Sequence, residues 1–208
     1  MSQDLNLSNS SHALDEETAR AEIYGLLSQL YYAAPSDDLL GQLQVAVTEA
    51  PDAGGFLEEP WRELVASARS LSQTQISAEY NSLFGGVGKP EVYLFGSHYL
   101  SGFLNEKPLV RLRDDLAELG LARSEGMSET EDHVAYVFEV MRFLIAGDDV
   151  AVSNLTRQQA FFTQHVQPWL PALCQVLQSQ PRAVFYARVA AFTEAFISVE
   201  SQGFDLVV

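Results

Sequence analysis

Cysteine, histidine and basic residues are all scarce in this 208-residue chain. The lone cysteine, Cys174, leaves no internal disulfide, as in chains that work in a reducing cytoplasm. Four scattered histidines and one cysteine offer no zinc-ligand spacing. None of those histidines has a glutamate three residues before it, which excludes the paired Glu-x-x-His motif of a di-iron bundle. No apolar run approaches the ~18 residues of a membrane-spanning helix, so membrane insertion is not expected. The opening MSQDLNLSNSSHAL has neither a basic stretch nor an apolar core, so no secretory signal is predicted. Twelve Lys and Arg face 28 Asp and Glu, a net charge of −16. That balance disfavours nucleic acid and anionic membrane surfaces, and leaves a basic partner or plain solubility as its use.

Catalytic motifs are missing too. GGVGKP resembles a phosphate loop only in part: Leu83 stands where the first glycine belongs, and Pro90 where Ser or Thr would hold magnesium. Ser97 and His98 lack the G-x-S-x-G frame of a nucleophile elbow. Cys174 sits in an apolar helical pattern with no nearby base, as an inert core thiol does. Asp132 and His133 are adjacent and point about 100° apart on a helix, so they do not orient one another as an acid–base pair. The chain reads as no enzyme and needs no cofactor or metal.

What is abundant is helical periodicity, and Ser128–Gly147 shows it best. Ser128 and Glu131 have capping-box spacing, and Gly147 suits a left-handed turn at the end. Between them Val134, Val137, Phe138, Met141, Leu144 and Ile145 form one apolar stripe. Further helices are predicted from Asp15 to Pro35, from Ser36 through Val47, from Pro60 to about Leu71 and from Thr74 to Phe84. Others follow from Pro108 to Gly120, from Asp148 through Leu155, Phe162 and Val166, and around Leu173–Leu177. The last starts at Pro181 and carries Phe185, Val189, Phe192, Phe196 and Val199. Pro51–Gly55 reads as a turn. Gly85–Pro108 holds five glycines and two prolines, a long connection with one short helix, of the kind that carries function. No strand or repeat is predicted. The expected fold is all-α: a single-domain helical bundle over residues 14–208, preceded by a flexible tail at 1–13.

Two segments carry a family resemblance. Glu79-Tyr80-Asn81-Ser82-Leu83-Phe84-Gly85 resembles the aromatic-x-x-Leu-Phe signature of the TorD/DmsD/NarJ-type chaperones that mature molybdenum redox enzymes. Glu129-Thr130-Glu131-Asp132-His133 resembles their Glu-Pro-x-Asp-His signature at the right distance downstream, with Thr130 in the place of proline. Gly96-Ser97-His98-Tyr99-Leu100 and the later Phe161-Phe162, His165, Pro168-Trp169 and Phe185-Tyr186 are also similar to the family, so the likeness runs from about residue 15 onward.

The resemblance implies a non-enzymatic cytoplasmic chaperone. It implies binding to the N-terminal twin-arginine leader of an apo-molybdoenzyme catalytic subunit until the molybdenum cofactor is inserted, which prevents premature export. Cofactor delivery proteins are further implied partners, and the chain is expected as a monomer or a helix-swapped dimer. Carried over by position, the peptide-binding candidates are Tyr80, Leu83, Phe84, Tyr99, Glu131, Asp132 and His133. Asp132 and His133 are expected at a solvent-accessible helix start. Seven acids between Asp114 and Asp132 suit the leader's arginines, whose planar forks a carboxylate meets bidentately. Two other readings remain: a NarJ-like assembly factor for a client that is not exported, and an acidic helical scaffold or oligomerisation module without a peptide groove.

Overall fold

The computed structural model describes residues 4–48, 55–85, 89–124 and 126–206, with side chains from Glu16 onward. Its helices are α1 (Asp4–Tyr32), α2 (Asp37–Val45), α3 (Glu58–Ser70), α4 (Gln73–Phe84) and α5 (Gly96–Ser101). They continue as α6 (Lys107–Glu118), α7 (Val134–Ala146), α8 (Leu155–Phe161), α9 (Leu170–Gln178) and α10 (Phe185–Asp205), with a π-helical turn at Phe162–Val166. Among the described residues there is no strand, only an isolated bridge between Phe95 and His133. The fold is an all-α bundle, as the periodicity predicts.

Helix α7 lies along α1, and α10 packs against α9 and α3. The predicted stripe of α7, from Val134 to Ile145, is buried throughout. It meets Tyr24, Leu27 and Tyr31 of α1, whose rings contact Phe138 at 5.6 Å from Tyr24 and 6.1 Å from Tyr31. Tyr24 also meets Phe196 of α10 edge-on at 4.8 Å. One charged cluster is built into this interior. Arg20 donates to both oxygens of the buried Glu200 at 2.7 and 2.9 Å, and the Tyr24 hydroxyl donates to Oε2 at 3.0 Å. Arg20 also reaches Gln158, whose amide donates to Leu144 O. Both carboxylate oxygens therefore have a donor, the condition under which a buried carboxylate is tolerated.

Several boundaries differ from the sequence reading. Backbone of α1 is helical from Asp4 rather than from Asp15, since each residue added to an existing helix gains a hydrogen bond without a new nucleus. Val47 lies past the end of α2 and is exposed, and of the Pro51–Gly55 turn only Gly55 is among the described residues. Asn154, not Asp148, caps α8 by accepting from Arg157 N, and Leu155 faces outward. Helix α10 starts at Phe185 rather than Pro181, and Ile197, Glu200 and Phe204 continue its buried face where Val199 was expected. Gly147 has φ −72°, not a left-handed turn; a Cβ there would collide with Ser153 Oγ and Phe143 O.

Phe192 is buried against Trp61, ring centroids 5.3 Å apart. Phe192→Ala should lower unfolding free energy by about 3–5 kcal/mol in urea titrations. A loss below ~1 kcal/mol would remove it from the core.

Candidate functional site

The Gly-rich connection is held to the start of α7 by a clasp centred on Asp132. Its Oδ2 accepts from Ser97 N at 2.9 Å, and its Oδ1 accepts from the Thr130 hydroxyl at 2.6 Å. Backbone bonds flank it: Gly96 N donates to Asp132 O at 2.9 Å, and Val134 N to Leu94 O at 2.8 Å. Gly96 packs closely there: a Cβ would come within 3.1 Å of the Trp169 ring. Asp132 and His133 are each only 4% exposed, so the helix start is buried, not solvent-accessible as expected. The capping box does not form either. Helix α7 begins after His133, whose Nδ1 accepts from Ala135 N at 3.2 Å, while Glu131 turns away to Arg113. Thr130, in the place of the family's proline, supplies the hydroxyl that orients Asp132.

An imidazole accepting at Nδ1 carries its proton on Nε2 when neutral. Burial pulls the His133 pKa down to about 4, and the Asp132 charge offsets only part of that. Its ring meets Phe95 edge-on at 5.1 Å and Tyr136 at 5.7 Å.

Helix α4 contributes two long-range caps. Glu79 accepts from Val184, Phe185 and Tyr186 N at 2.8 to 3.1 Å, which closes the amino end of α10 with a favourable charge. The Tyr80 hydroxyl donates toward the terminal carbonyls of α1, 2.7 Å from Tyr32 O and 3.1 Å from Tyr31 O. Leu83 is fully buried, and Phe84 packs edge-on against Tyr80 and Tyr186.

The clasp and the caps bring both signature segments to one cavity of about 290 Å3. Tyr32, Tyr80 and Phe84 form one wall, and Pro90 and Phe95 of the connection another. Ser128, Glu129 and His133 form the third. The Tyr80 hydroxyl is pushed up to about 12, chiefly by burial and then by the nearby Glu129 carboxylate. Of the seven expected residues, Tyr80, Phe84 and His133 line this cavity. Leu83 and Asp132 are buried behind its wall. Glu131 faces a separate apolar groove of about 410 Å3 between α6 and α7, paired with Arg113 at 2.8 Å. Tyr99 stacks on Trp169 at 5.8 Å and donates to Tyr93 O, away from the cavity lining. Tyr32, Pro90, Phe95, Ser128 and Glu129 were not among the expected contacts, although Pro90 and Phe95 lie in the connection, and Glu129 in the signature, that the sequence singles out.

Chemically this is a small aromatic cavity with one carboxylate and one neutral imidazole N–H. It suits a cationic or hydrogen-bonding side chain carried on apolar chain. Both Asp132 oxygens are occupied by Ser97 and Thr130, so Asp132 does not serve His133 as an acid–base partner. Among the described residues no group of three or more His, Cys, Asp or Glu is placed to hold a metal. No described helix is long and apolar enough to cross a membrane. Burial raises the Cys174 thiol far above its ordinary pKa, so it stays protonated.

A family model described as nitrate reductase delta subunit matches residues 51–175, a span that holds both signatures. Among similar proteins, the chaperone protein TorD of Vibrio cholerae serotype O1 (strain ATCC 39541 / Classical Ogawa 395 / O395) is 25% identical over 205 residues, covering 91% of this chain and 93% of its own. The chaperone protein YcdY of Escherichia coli (strain K12) is 25% identical over 175 residues, covering 83% and 89% respectively. The chaperone protein TorD of Colwellia psychrerythraea (strain 34H / ATCC BAA-681) is 23% identical over 224 residues, covering 90% and 92%.

Asp132→Ala leaves the buried Ser97 N–H without its acceptor and should cost about 1–3 kcal/mol in urea unfolding. Unchanged stability would mean that the clasp is dispensable. His133 titrates at about 4 when folded against 6.5 ordinarily, so its stabilisation is complete above pH 6.5 and lost as pH falls toward 4. At ~1.4 kcal/mol per unit, the loss is roughly 3 kcal/mol. His133→Asn keeps a cap acceptor without titrating, so its melting temperature should fall less steeply over that range; parallel curves would contradict the assignment.

Proposed function

We propose, on the premise that this chain belongs to the nitrate reductase delta subunit family, that it is a molybdoenzyme maturation chaperone which holds its client by an arginine-bearing leader. The observation that supports this best is the joining of Tyr80 and Phe84 with Glu129 and His133 around one cavity. Relatives named as chaperones agree with a binding role rather than a catalytic one.

In this reading an arginine of the leader enters between the Tyr32 and Tyr80 rings and meets the Glu129 carboxylate. Planar guanidinium stacks on aromatic faces and forms paired hydrogen bonds with carboxylate. The neutral His133 N–H adds a donor for a leader carbonyl. Leu83 and Asp132 hold the walls in place, and the −16 net charge attracts the cationic segment from a distance. While the leader is held, the apo-enzyme stays in the cytoplasm and its cofactor is inserted before export. The expected partners are therefore the client's catalytic subunit and the proteins that deliver its molybdenum cofactor. The alternative reading is an assembly factor whose client is retained rather than exported.

Titration with a labelled synthetic leader peptide tests the proposal. Binding should weaken as salt rises, because screening shortens to ~8 Å at physiological ionic strength. The loss should be partial, since apolar burial at ~25 cal/mol per Å2 does not depend on that screening. Replacing the arginine pair by lysines should weaken it further. Glu129→Gln should cost about tenfold in affinity, one charged hydrogen bond's worth, and flatten the salt dependence. Indifference to salt, to the arginines and to Glu129 would leave the acids as a solvated surface. An assembly factor for a retained client would instead bind a client segment lacking the arginine pair equally well.

A further inference from the structure

Helix α6 carries its exposed charges in the order that least suits a helix. Lys107 and Arg111 stand toward its amino end, Asp114 and Glu118 toward its carboxyl end. The helix dipole favours the reverse. Lys107 with Arg111, and Asp114 with Glu118, are also like-charged neighbours four residues apart, a spacing that destabilises. All four are exposed. At steps of four, three and four they form one outward stripe, opposite the buried Leu109, Leu112 and Leu116. Their neighbours on the same helix are engaged: Arg113 with Glu131 and Asp115 with His165 at 2.6 Å. The four stripe residues make no ion pair among the described residues. Arg157 lines a small cleft with Glu118 but does not bond it. Only Arg111 and Asp114, three residues apart, suit one another within α6, so its own stability does not account for the whole order.

Antiparallel self-pairing explains it. Lys107 and Glu118 are equidistant from the helix midpoint between Leu112 and Arg113, and so are Arg111 and Asp114. A second copy related by a two-fold axis through that midpoint sets Lys107 against Glu118 of the other copy, and Arg111 against its Asp114. Symmetry repeats both pairs. A parallel alignment in register would set like against like.

Apolar surface extends the same seam. Val110, 55% exposed, borders the stripe, and Phe103, 70% exposed, sits in the turn that leads into α6. That turn is built rather than loose. Gly102 and Asn105 take left-handed backbone at φ 81° and 59°, and Ser97 Oγ accepts from Asn105 N at 3.2 Å. Surface ion pairs alone hold little; burial of the exposed Phe103 and Val110 adds apolar contact beside them. Repulsion between two chains of −16 is long-range and screened beyond ~8 Å at physiological ionic strength, whereas contact pairs lie inside that length.

We infer that the outward face of α6 is the contact through which two copies of this chain associate as a symmetric antiparallel dimer.

Sedimentation velocity across a concentration series tests this, on the whole chain at physiological ionic strength. The unaltered protein should pass from monomer to dimer as concentration rises. Lys107→Glu with Arg111→Glu makes the stripe all acidic, and Asp114→Lys with Glu118→Lys makes it all basic; each should stay monomeric. Both variants improve the match to the helix dipole, so both should keep the parent circular dichroism spectrum. An equal mixture of the two should restore a dimer, now mixed. A parent that is monomeric at every concentration overturns the inference. So does a dimer indifferent to the reversals, as exchange of helices between copies would give, and so does a mixture that stays monomeric.

Discussion

One buried carboxylate sets the geometry on which the candidate site depends. Asp132 must be desolvated to lie between the connection and α7, and a desolvated charge needs hydrogen bonds. Ser97 N and the Thr130 hydroxyl supply them, while Gly96 N and Val134 N zip the backbone on either side. The connection is thereby fixed against α7 at one point. Phe95 and Pro90 are then carried to the cavity, and His133 is left as the cap of α7 with its free nitrogen protonated. Without that anchor, the wall that the glycine-rich connection gives the 290 Å3 cavity would lose its tie to α7.

The other wall depends on α4, and again the fixing is long-range. Glu79 closes α10 and Tyr80 closes α1, so one dipeptide ties α1 and α10 to the helix that also carries Phe84. Residues that look like ligand contacts thus divide their roles. Tyr80 uses its hydroxyl for the fold and its ring for the cavity. The Glu129 carboxylate has no such duty, so it is the position where affinity should change with the least effect on stability. The cavity is thereby left with held walls and one acid.

Local pattern made the helices legible. The stripe of α7 and the Leu109–Leu112–Leu116 face of α6 follow directly from a period of 3.6, and all are buried. Gly120, with φ 73°, ends α6 as its position in the sequence suggests. Helix starts were less legible, because a cap is a competition among partners. Glu131 has the right spacing to Ser128, but Arg113, distant in sequence, takes it. Glu79 was invisible as the cap of α10, since its partners lie more than a hundred residues away. Tyr99 failed as a cavity residue for the same reason: its ring is claimed by Trp169. The order of charges on α6 was in plain view, yet it became informative only once Arg113 and Asp115 were seen to be engaged and the other four exposed.

The most direct measurement places a photoreactive side chain next to the arginine pair of a synthetic leader peptide and maps the adduct by mass spectrometry. Labelling should concentrate on the Tyr32, Tyr80–Phe84, Pro90–Phe95 and Ser128–His133 segments, and an excess of unlabelled leader should abolish it. Specific labelling that falls instead on the α6–α7 groove around Leu121, Val140 and Phe143, with none on those segments, would contradict the account.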